Sequence, residues 1–238
     1  MQTIRLFPLV ISLLMMAGTT ATGTLPPLVE PLNSEKMTSQ AEKINLPDPD
    51  HSGDTSIEEA LLKRRSVRQY TDEPLTLSEI SQILWAAQGI TNNRGFRTAP
   101  SAGALYPLEV YILIDRAEEA EPGIYKYDPE DHTLTMVQEG RLNDRLQEAA
   151  LGQSQIGDAA AVLVISGVYE RTTGKYKNRG VRYVHMEAGH AAQNVYLQGV
   201  SLDLGAVVIG AFDDESVRKV MNMPEKETPL YIMPVGKK

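Results

Sequence analysis

Lys63-Arg64-Arg65-Ser66-Val67-Arg68 places four cations and a hydroxyl within six residues. Guanidiniums stay charged and present forked donors, so three of them beside a serine suit the oxygens of a phosphate monoester. A solvated basic face is the other reading of such a run. A second segment, Arg97-Thr-Ala-Pro-Ser101-Ala-Gly103-Ala-Leu-Tyr-Pro107-Leu-Glu109, strings small residues together directly before an apolar run. So little side-chain bulk lets backbone N–H and C=O groups approach a flat ligand, or lets a tight loop pack beneath a neighbouring element. The segment matches neither G-x-x-x-x-G-K-S/T nor G-x-G-x-x-G, so it is not a P-loop or a dinucleotide fingerprint. Gly205-Ala-Val-Val-Ile-Gly210-Ala-Phe212 is a third stretch of the same kind.

Several other chemistries drop out. Ser66 and Ser101 lie outside a G-x-S-x-G elbow, which argues against an α/β-hydrolase. Glu187-x-x-His190 has the spacing of a di-iron half-site, but such a site takes two copies plus further carboxylates, and the chain has one copy. No metal is expected. His185 and His190 are five apart, about 500° around a helix, and cannot share a ligand on one face. His190, Gln193 and Asn194 read instead as polar groups along a helix seam. Zero cysteines remove disulfide frameworks, zinc ribbons, iron–sulfur clusters and thiol nucleophiles. Lys+Arg 23 against Asp+Glu 31 gives a formal charge of −8, the wrong sign for tracking a phosphate backbone. No nucleic-acid partner is expected.

The elements that must position these segments follow from periodicity. Ser56-Ile-Glu-Glu59 is a capping box opening a short helix through about Lys63. Thr76-Leu-Ser-Glu79 is another, followed by Ile80, Ile83, Leu84 and Ala87 at helical spacing until Gly89. Leu108 to Ile114 is a strand rich in branched residues, and Gly123 to Tyr127 with Leu134 to Gln138 form a hairpin. Helices are predicted over Leu142 to Leu151, Val181 to Leu202 and Asp213 to Met221. Ala160 to Val168 reads as a buried central strand, Ala206 to Ile209 as a short one, and Leu230 to Val235 as the last. Irregular alternation of the two kinds indicates an α+β fold.

Residues 1–23 read as a signal peptide or N-terminal anchor. Arg5 precedes an apolar run to Ala17, and small residues follow with a plausible cleavage site around Thr19 and Ala21. The apolar run is shorter than the about 20 residues a membrane span needs, so export to the periplasm or cell envelope is expected. The chain is cytoplasmic if that reading fails. Residues 24–55 are proline-rich and read as an extended tether or wrapping arm, leaving one domain over 56–238.

Arg64-Arg-Ser-Val-Arg68, the Pro100-Ser101 loop, the long helix, the 205–210 stretch and the Pro234-Val-Gly236 ending follow the order found in the nitroreductase family of FMN enzymes, which this chain resembles. Within it, Ser101-Ala-Gly-Ala-Leu-Tyr-Pro107 and Arg179-Gly-x-Arg-Tyr-x-x-x-Glu187-Ala-Gly-His190-Ala-Ala-Gln-Asn194 resemble the SagB-type branch, which includes dehydrogenases that oxidise azoline rings in peptides. The resemblance runs from about Ser56 to the C-terminus and implies a central, mostly antiparallel sheet flanked by helices in an intertwined homodimer.

The resemblance places Arg64, Arg65, Ser66 and Arg68 on the FMN phosphate and ribityl chain. It places Ser101, Ala102, Gly103 and Leu105 along one side of the flavin, and the backbone of Val208, Ile209, Gly210 and Ala211 near the isoalloxazine. Lys237 or Lys238 would add a phosphate contact. The long helix would form the dimer seam through Ala188, Gly189, Ala191 and Ala192. Many family members carry asparagine where this chain has Ala104, which favours the SagB-type reading over an ordinary nitroaromatic reductase. In that branch a Lys–Tyr pair serves dehydrogenation, and Lys175-Tyr176 occupies the corresponding stretch, as catalytic base and proton relay or as exposed loop residues. The resemblance thus implies an FMN-dependent oxidoreductase acting on a small molecule or peptide. The alternatives are an NAD(P)H-dependent nitroreductase and a flavin binder without turnover. Nicotinamide donors are a cytoplasmic currency, so an exported enzyme would take its electrons from its substrate.

Overall fold

The computed structural model describes residues 43–238. The signal-peptide reading of 1–23 and the first part of the 24–55 arm lie outside the described residues. Seven strands, β1 (Lys43–Asn45), β2 (Leu108–Ile114), β3 (Gly123–Asp128), β4 (Thr133–Glu139), β5 (Ala161–Gly167), β6 (Leu204–Ala206) and β7 (Thr228–Lys237), form one sheet in the order β1-β4-β3-β2-β5-β7-β6. Every neighbouring pair is antiparallel. Among the described residues six α-helices accompany it: α1 (Ile57–Lys63), α2 (Leu77–Gln88), α3 (Asn143–Ala149), α4 (Tyr169–Tyr176), α5 (Arg179–Ser201) and α6 (Asp214–Val220). The architecture is the nitroreductase-like α+β fold the motif order implied. Among the described residues no helix is long and apolar enough to cross a membrane.

Side chains alternate across a strand, so β2 and β5 feed two cores. Leu108, Val110, Ile112 and Ile114, with Leu163 and Ile165, pack with Ile83 and Leu84 of α2 and with Val184, Ala188 and Val195 of α5. Tyr111 and Leu113, with Val162 and Val164, face Leu146 of α3 and Val217 of α6. Coverage on both faces explains why these strands read as unbroken apolar runs. The buried stripe of α5 recurs at Val184, Glu187, Ala188, Ala191, Ala192, Val195, Tyr196 and Gly199, the spacing of a helix with one face on a sheet. Two members of that stripe are polar. Both turn out to belong to the site.

The structure departs from the sequence expectation in four places. Residues 43–50, assigned to the tether, are part of the sheet's edge: β1 pairs with β4, Leu46 is buried, and Gln82 bonds the backbone of Asp50 in both directions. Three residues followed by Pro47 and Pro49 are too short to show a period. α4 was not predicted, because Thr172, Thr173 and Gly174 are weak helix formers. Gly180 lets it close on α5, where a Cβ would lie 2.8 Å from the Thr173 nitrogen. The strand expected over Ala206 to Ile209 is β6, ending at Ala206. Its continuation faces Pro234, which has no N–H to give the ladder, and pairing resumes only at the Ile209–Ile232 bridge. The Ser56 box is half made: Ser56 Oγ accepts from Glu59 N at 3.1 Å, while the Glu59 carboxylate pairs with Lys63. The Thr76–Glu79 box is complete.

Candidate functional site

The basic segment leaves α1 and runs beside β6 and β7. Val67 N donates to Ala206 O at 2.9 Å, and Tyr70 Oη donates to Val67 O at 2.9 Å. Glycines on the two strands make room. A Cβ on Gly205 would meet Val67 Cγ1 at 2.6 Å, and one on Gly236 would meet Tyr70 at 2.9 Å. Tyr196, from the stripe of α5, clamps the segment from beneath. Its hydroxyl lies 3.1 Å from Ser66 Oγ and accepts from Val208 N at 2.7 Å, and Arg64 lies over its ring at 5.2 Å. One tyrosine thereby unites two of the segments that the sequence singled out.

The charge at this end is largely without counter-charge among the described residues. Arg65 Nη1 donates to Leu62 O and Arg64 O at 2.9 and 2.7 Å, and Arg68 is exposed. Among the described residues, none of Arg64, Arg65 and Arg68 meets a carboxylate, whereas Lys63 pairs with Glu59. Lys237 and Lys238 do not join them. Lys237 is paired with Glu79, and Lys238 with Asp203 at 2.9 Å, so the additional phosphate contact implied at the C-terminus is already engaged. In the 208–211 stretch the Val208 and Ile209 N–H groups are taken by Tyr196 and Ile232, and Ala211 O accepts from Gln153. Gly210 and Ala211 are exposed.

The second cluster gathers at the other small-residue segment. Ser101 to Tyr106 is a single tight turn with left-handed backbone at Gly103, Ala104 and Tyr106 (φ 68°, 53° and 44°). For Ala104 and Tyr106 that backbone costs roughly 1–2 kcal/mol each. Ser101 Oγ accepts from Tyr106 N at 2.9 Å and closes the turn. Lys175 and Tyr176 form the last turn of α4, not a loop, and their tips lie on Gly103. A Cβ there would stand 2.8 Å from Tyr176 Oη and 3.0 Å from Lys175 Nζ. Arg171, one turn earlier, anchors α4 by donating to Tyr106 O at 3.0 Å and by an ion pair with Glu109. The Tyr176 ring meets Tyr183 of α5 edge-on at 5.1 Å. Lys175 itself is exposed among the described residues.

Behind the turn sits Glu187, 2% exposed, with Oε1 buried and unpartnered. Burial pushes its carboxyl up to about 7, and the facing Ser101 hydroxyl and the Arg97 charge pull the other way without cancelling that. Arg97 lies over the Tyr106 ring at 4.7 Å and donates to Gln88 Oε1 at 2.8 Å. Burial lowers the Arg97 pKa. Sequence reasoning gave Tyr196, Glu187, Arg97 and Arg171 no role. The signal for the first two was there: a tyrosine and a carboxylate in register with the apolar stripe of a long helix.

Glu187 and Tyr196 are nine residues apart, which places them about 13.5 Å apart along α5 and about 180° around it. The two clusters therefore stand at opposite margins of the buried face. Ala188, Ala191 and Ala192, expected in a dimer seam, are buried under the chain's own sheet. Of the four small residues, only Gly189 escapes that burial, with nothing within 4 Å of a Cβ added there. His190 is exposed, and His185 bonds Tyr169 at 2.6 Å.

The nitroreductase family model matches residues 61–237. A protein of Methanocaldococcus jannaschii named as a nitroreductase is 50% identical over 196 residues, 82% of this chain and 96% of that protein. A crystal structure from Ralstonia eutropha designated a nitroreductase superposes with a TM-score of 0.72 at 31% identity, covering 82% of this chain and 89% of that one. The microcin B17-processing protein McbC of Escherichia coli is 31% identical over 146 residues, 59% of this chain and 54% of McbC. The Escherichia coli microcin synthetase complex with a truncated pro-microcin bound superposes at a TM-score of 0.65 and 26% identity, over 90% of this chain and 84% of that one. Fold, motif order and sequence likeness agree: the chain belongs to the nitroreductase family of oxidoreductases.

Proposed function

We propose that the protein is an FMN-dependent oxidoreductase of the SagB-like kind, a dehydrogenase or oxidase acting on a small molecule or peptide. The observation that carries the reading is the seating of Lys175 and Tyr176 on Gly103, the turn that the family resemblance places along the flavin. Support for the substrate class comes from McbC, a relative named as the microcin B17-processing protein.

The residues present fit the cofactor. Three guanidiniums that meet no carboxylate among the described residues, beside the Ser66 hydroxyl, form a place for a dianionic phosphate in a chain of charge −8. The 101–105 turn offers small side chains and accessible backbone to a flat ring. FMN, when bound, supplies the two-electron chemistry. Arg64, Arg65, Arg68 and Ser66 hold its phosphate end. Tyr176 Oη and Lys175 Nζ exchange the proton that leaves or enters the substrate. Because the two clusters lie across α5 from one another, a homodimer completes each site, with one copy giving the phosphate end and its partner the 101–106 turn. Exposed Leu61, Leu62 and Met186 are apolar surface that such a partner would cover. Export by residues 1–23 belongs to the same proposal and favours substrate, not nicotinamide, as the electron source.

The test is the purified protein. It is expected as a yellow dimer with stoichiometric FMN. Lys175→Ala and Tyr176→Phe should keep the cofactor and lose about 10²–10⁴-fold in substrate-driven flavin reduction, the usual contribution of a positioned acid or base. A colourless monomer that takes up no FMN would overturn the reading. Rapid reduction by NADPH, undiminished in both variants, would favour an ordinary nitroreductase.

A further inference from the structure

We propose that Glu109 is a positioning residue for Lys175 and Tyr176, acting through Arg171, and that Lys126 and the buried Glu227 hold Glu109 itself in place. The role given to Lys175 and Tyr176 rests on the proposed function; the chain of contacts stands on the structure. Glu109 is the second residue of β2, directly after the segment that carries the turn. Its Oε1 accepts from Arg171 of α4, and its Oε2 meets Lys126 Nζ of β3 at 3.0 Å. Lys126 reaches a second carboxylate, Glu227 Oε1, at 3.1 Å and lies over the Tyr111 ring at 5.2 Å. Glu227, 2% exposed, stands just before β7, and its Oε2 accepts from Tyr111 Oη at 2.9 Å and Ser166 Oγ at 3.0 Å. Charge alternates along the row, from Arg171 through Glu109 and Lys126 to Glu227.

Strand register builds this row. Glu109 and Tyr111 point to one face of β2, where Tyr111 is the cross-strand partner of Lys126 and Glu109 that of Ser166. An isolated exposed ion pair orders little, because two long side chains give up rotamer freedom for a screened attraction. Glu109 is instead gripped at both oxygens, and the row ends on a sealed carboxylate with three donors, so its geometry is fixed from the sheet side. Arg171 uses that fixed point to place α4. Its Nη2 goes to Glu109 and its Nη1 donates to Tyr106 O at 3.0 Å, so one rigid fork sets the helix against the end of the turn and the start of β2 together. The helix needs the tie. No side chain caps its N-terminus, and Thr172, Thr173 and Gly174 are weak helix formers. Val168 N, donating to Pro107 O at 2.8 Å, fixes only its start. Lys175 stands four residues beyond Arg171, on the same side of α4, so the seat of Arg171 decides where the tips of Lys175 and Tyr176 meet Gly103.

Glu109→Met tests the inference without stranding a buried charge, since Arg171 is exposed and Lys126 keeps Glu227. Hydrogen exchange read by mass spectrometry should quicken several-fold across 169–177 and 101–106 and stay unchanged in α2. Substrate-driven flavin reduction should fall about 10-fold or more, the cost of a small misplacement at the reacting atoms. FMN affinity should stay within about twofold of the parent. In a chain already carrying Lys175→Ala and Tyr176→Phe, the same substitution should cost less than about twofold further, because a residue that acts through that pair has nothing left to position. Arg171→Met should repeat the pattern, and it decides the matter if Glu109→Met fails to fold. An equal loss with and without the Lys–Tyr pair would make Glu109 a structural residue only and overturn the inference. Unchanged exchange across 169–177 overturns it whatever the activity. Quickened exchange in a parent that binds no FMN would instead sink the cofactor reading and leave the tie on α4 standing.

Discussion

The Tyr196 end and the Glu187 end of α5 carry segments of the same character, short and rich in small residues, on different kinds of support. At the Tyr196 end the segment is laid along strands: Val67 bonds Ala206, Tyr70 bonds Val67, and glycines of β6 and β7 are hollowed to receive it. Its backbone needs no left-handed residue from 64 to 70. At the Glu187 end the turn has three such residues and borrows its order from side chains of other elements: Ser101, Arg171, Arg97 and the tips of Lys175 and Tyr176. In the proposed function the first end asks only for fixed charge, which a segment laid along strands supplies, and the second must hold a proton in register with a reacting atom, for which tertiary contacts and strained backbone are used.

The comparison breaks most sharply at Gly103. Gly103→Val should fold and retain FMN, yet lose about 10²-fold or more in turnover. A β-branched residue at φ 68° is a backbone outlier, and its side chain displaces Tyr176 Oη and Lys175 Nζ. Steady-state rates beside a flavin absorption spectrum check both halves. Equal loss of FMN would show that the two ends are one unit. The converse variant is Arg65→Ala. Removing one charge-assisted partner of a phosphate costs about 1.5–3 kcal/mol, roughly 10–100-fold in FMN affinity by titration, with turnover at saturating FMN little changed.

How much of this was legible follows the same division. The Arg64 to Arg68 cluster, the Ser101 to Gly103 turn and nearly every central element were readable, because each announces itself locally through charge run, small-residue run, capping box or period. β2 matches its predicted bounds, Leu108–Ile114. α4 was not readable, since it is held by Arg171 and by the close approach at Gly180, contacts that composition does not display. Ala188, Ala191 and Ala192 were misjudged as seam residues for a related reason. A stripe of alanines fits another subunit or the chain's own sheet equally well, and burial decided for the sheet. Lys237 and Lys238 were plausible phosphate ligands until Glu79 and Asp203, distant in sequence, met them. Long-range partnership is the part of a site that local pattern cannot carry.

Two smaller changes sharpen the contrast from the strand-built side. Tyr196→Phe removes the acceptor of the Val208 N–H and the partner of Ser66 while keeping the ring under Arg64. An orphaned half-buried amide costs about 1–3 kcal/mol, which should appear in chemical denaturation together with a weaker FMN affinity. Turnover per bound flavin should not move, because the hydrogen bonds and the cation contact of Tyr196 go to Ser66, Val208 and Arg64. Lys237→Met tests the correction at the C-terminus. Its ion pair with Glu79 is partly exposed, so breaking it should cost no more than about 1 kcal/mol. FMN affinity should stay within twofold (about 0.4 kcal/mol) of the parent. A tenfold weakening would return Lys237 to the phosphate and show that its pairing with Glu79 is exchanged when the anion arrives, which would make the strand-built end as adaptable as the turn.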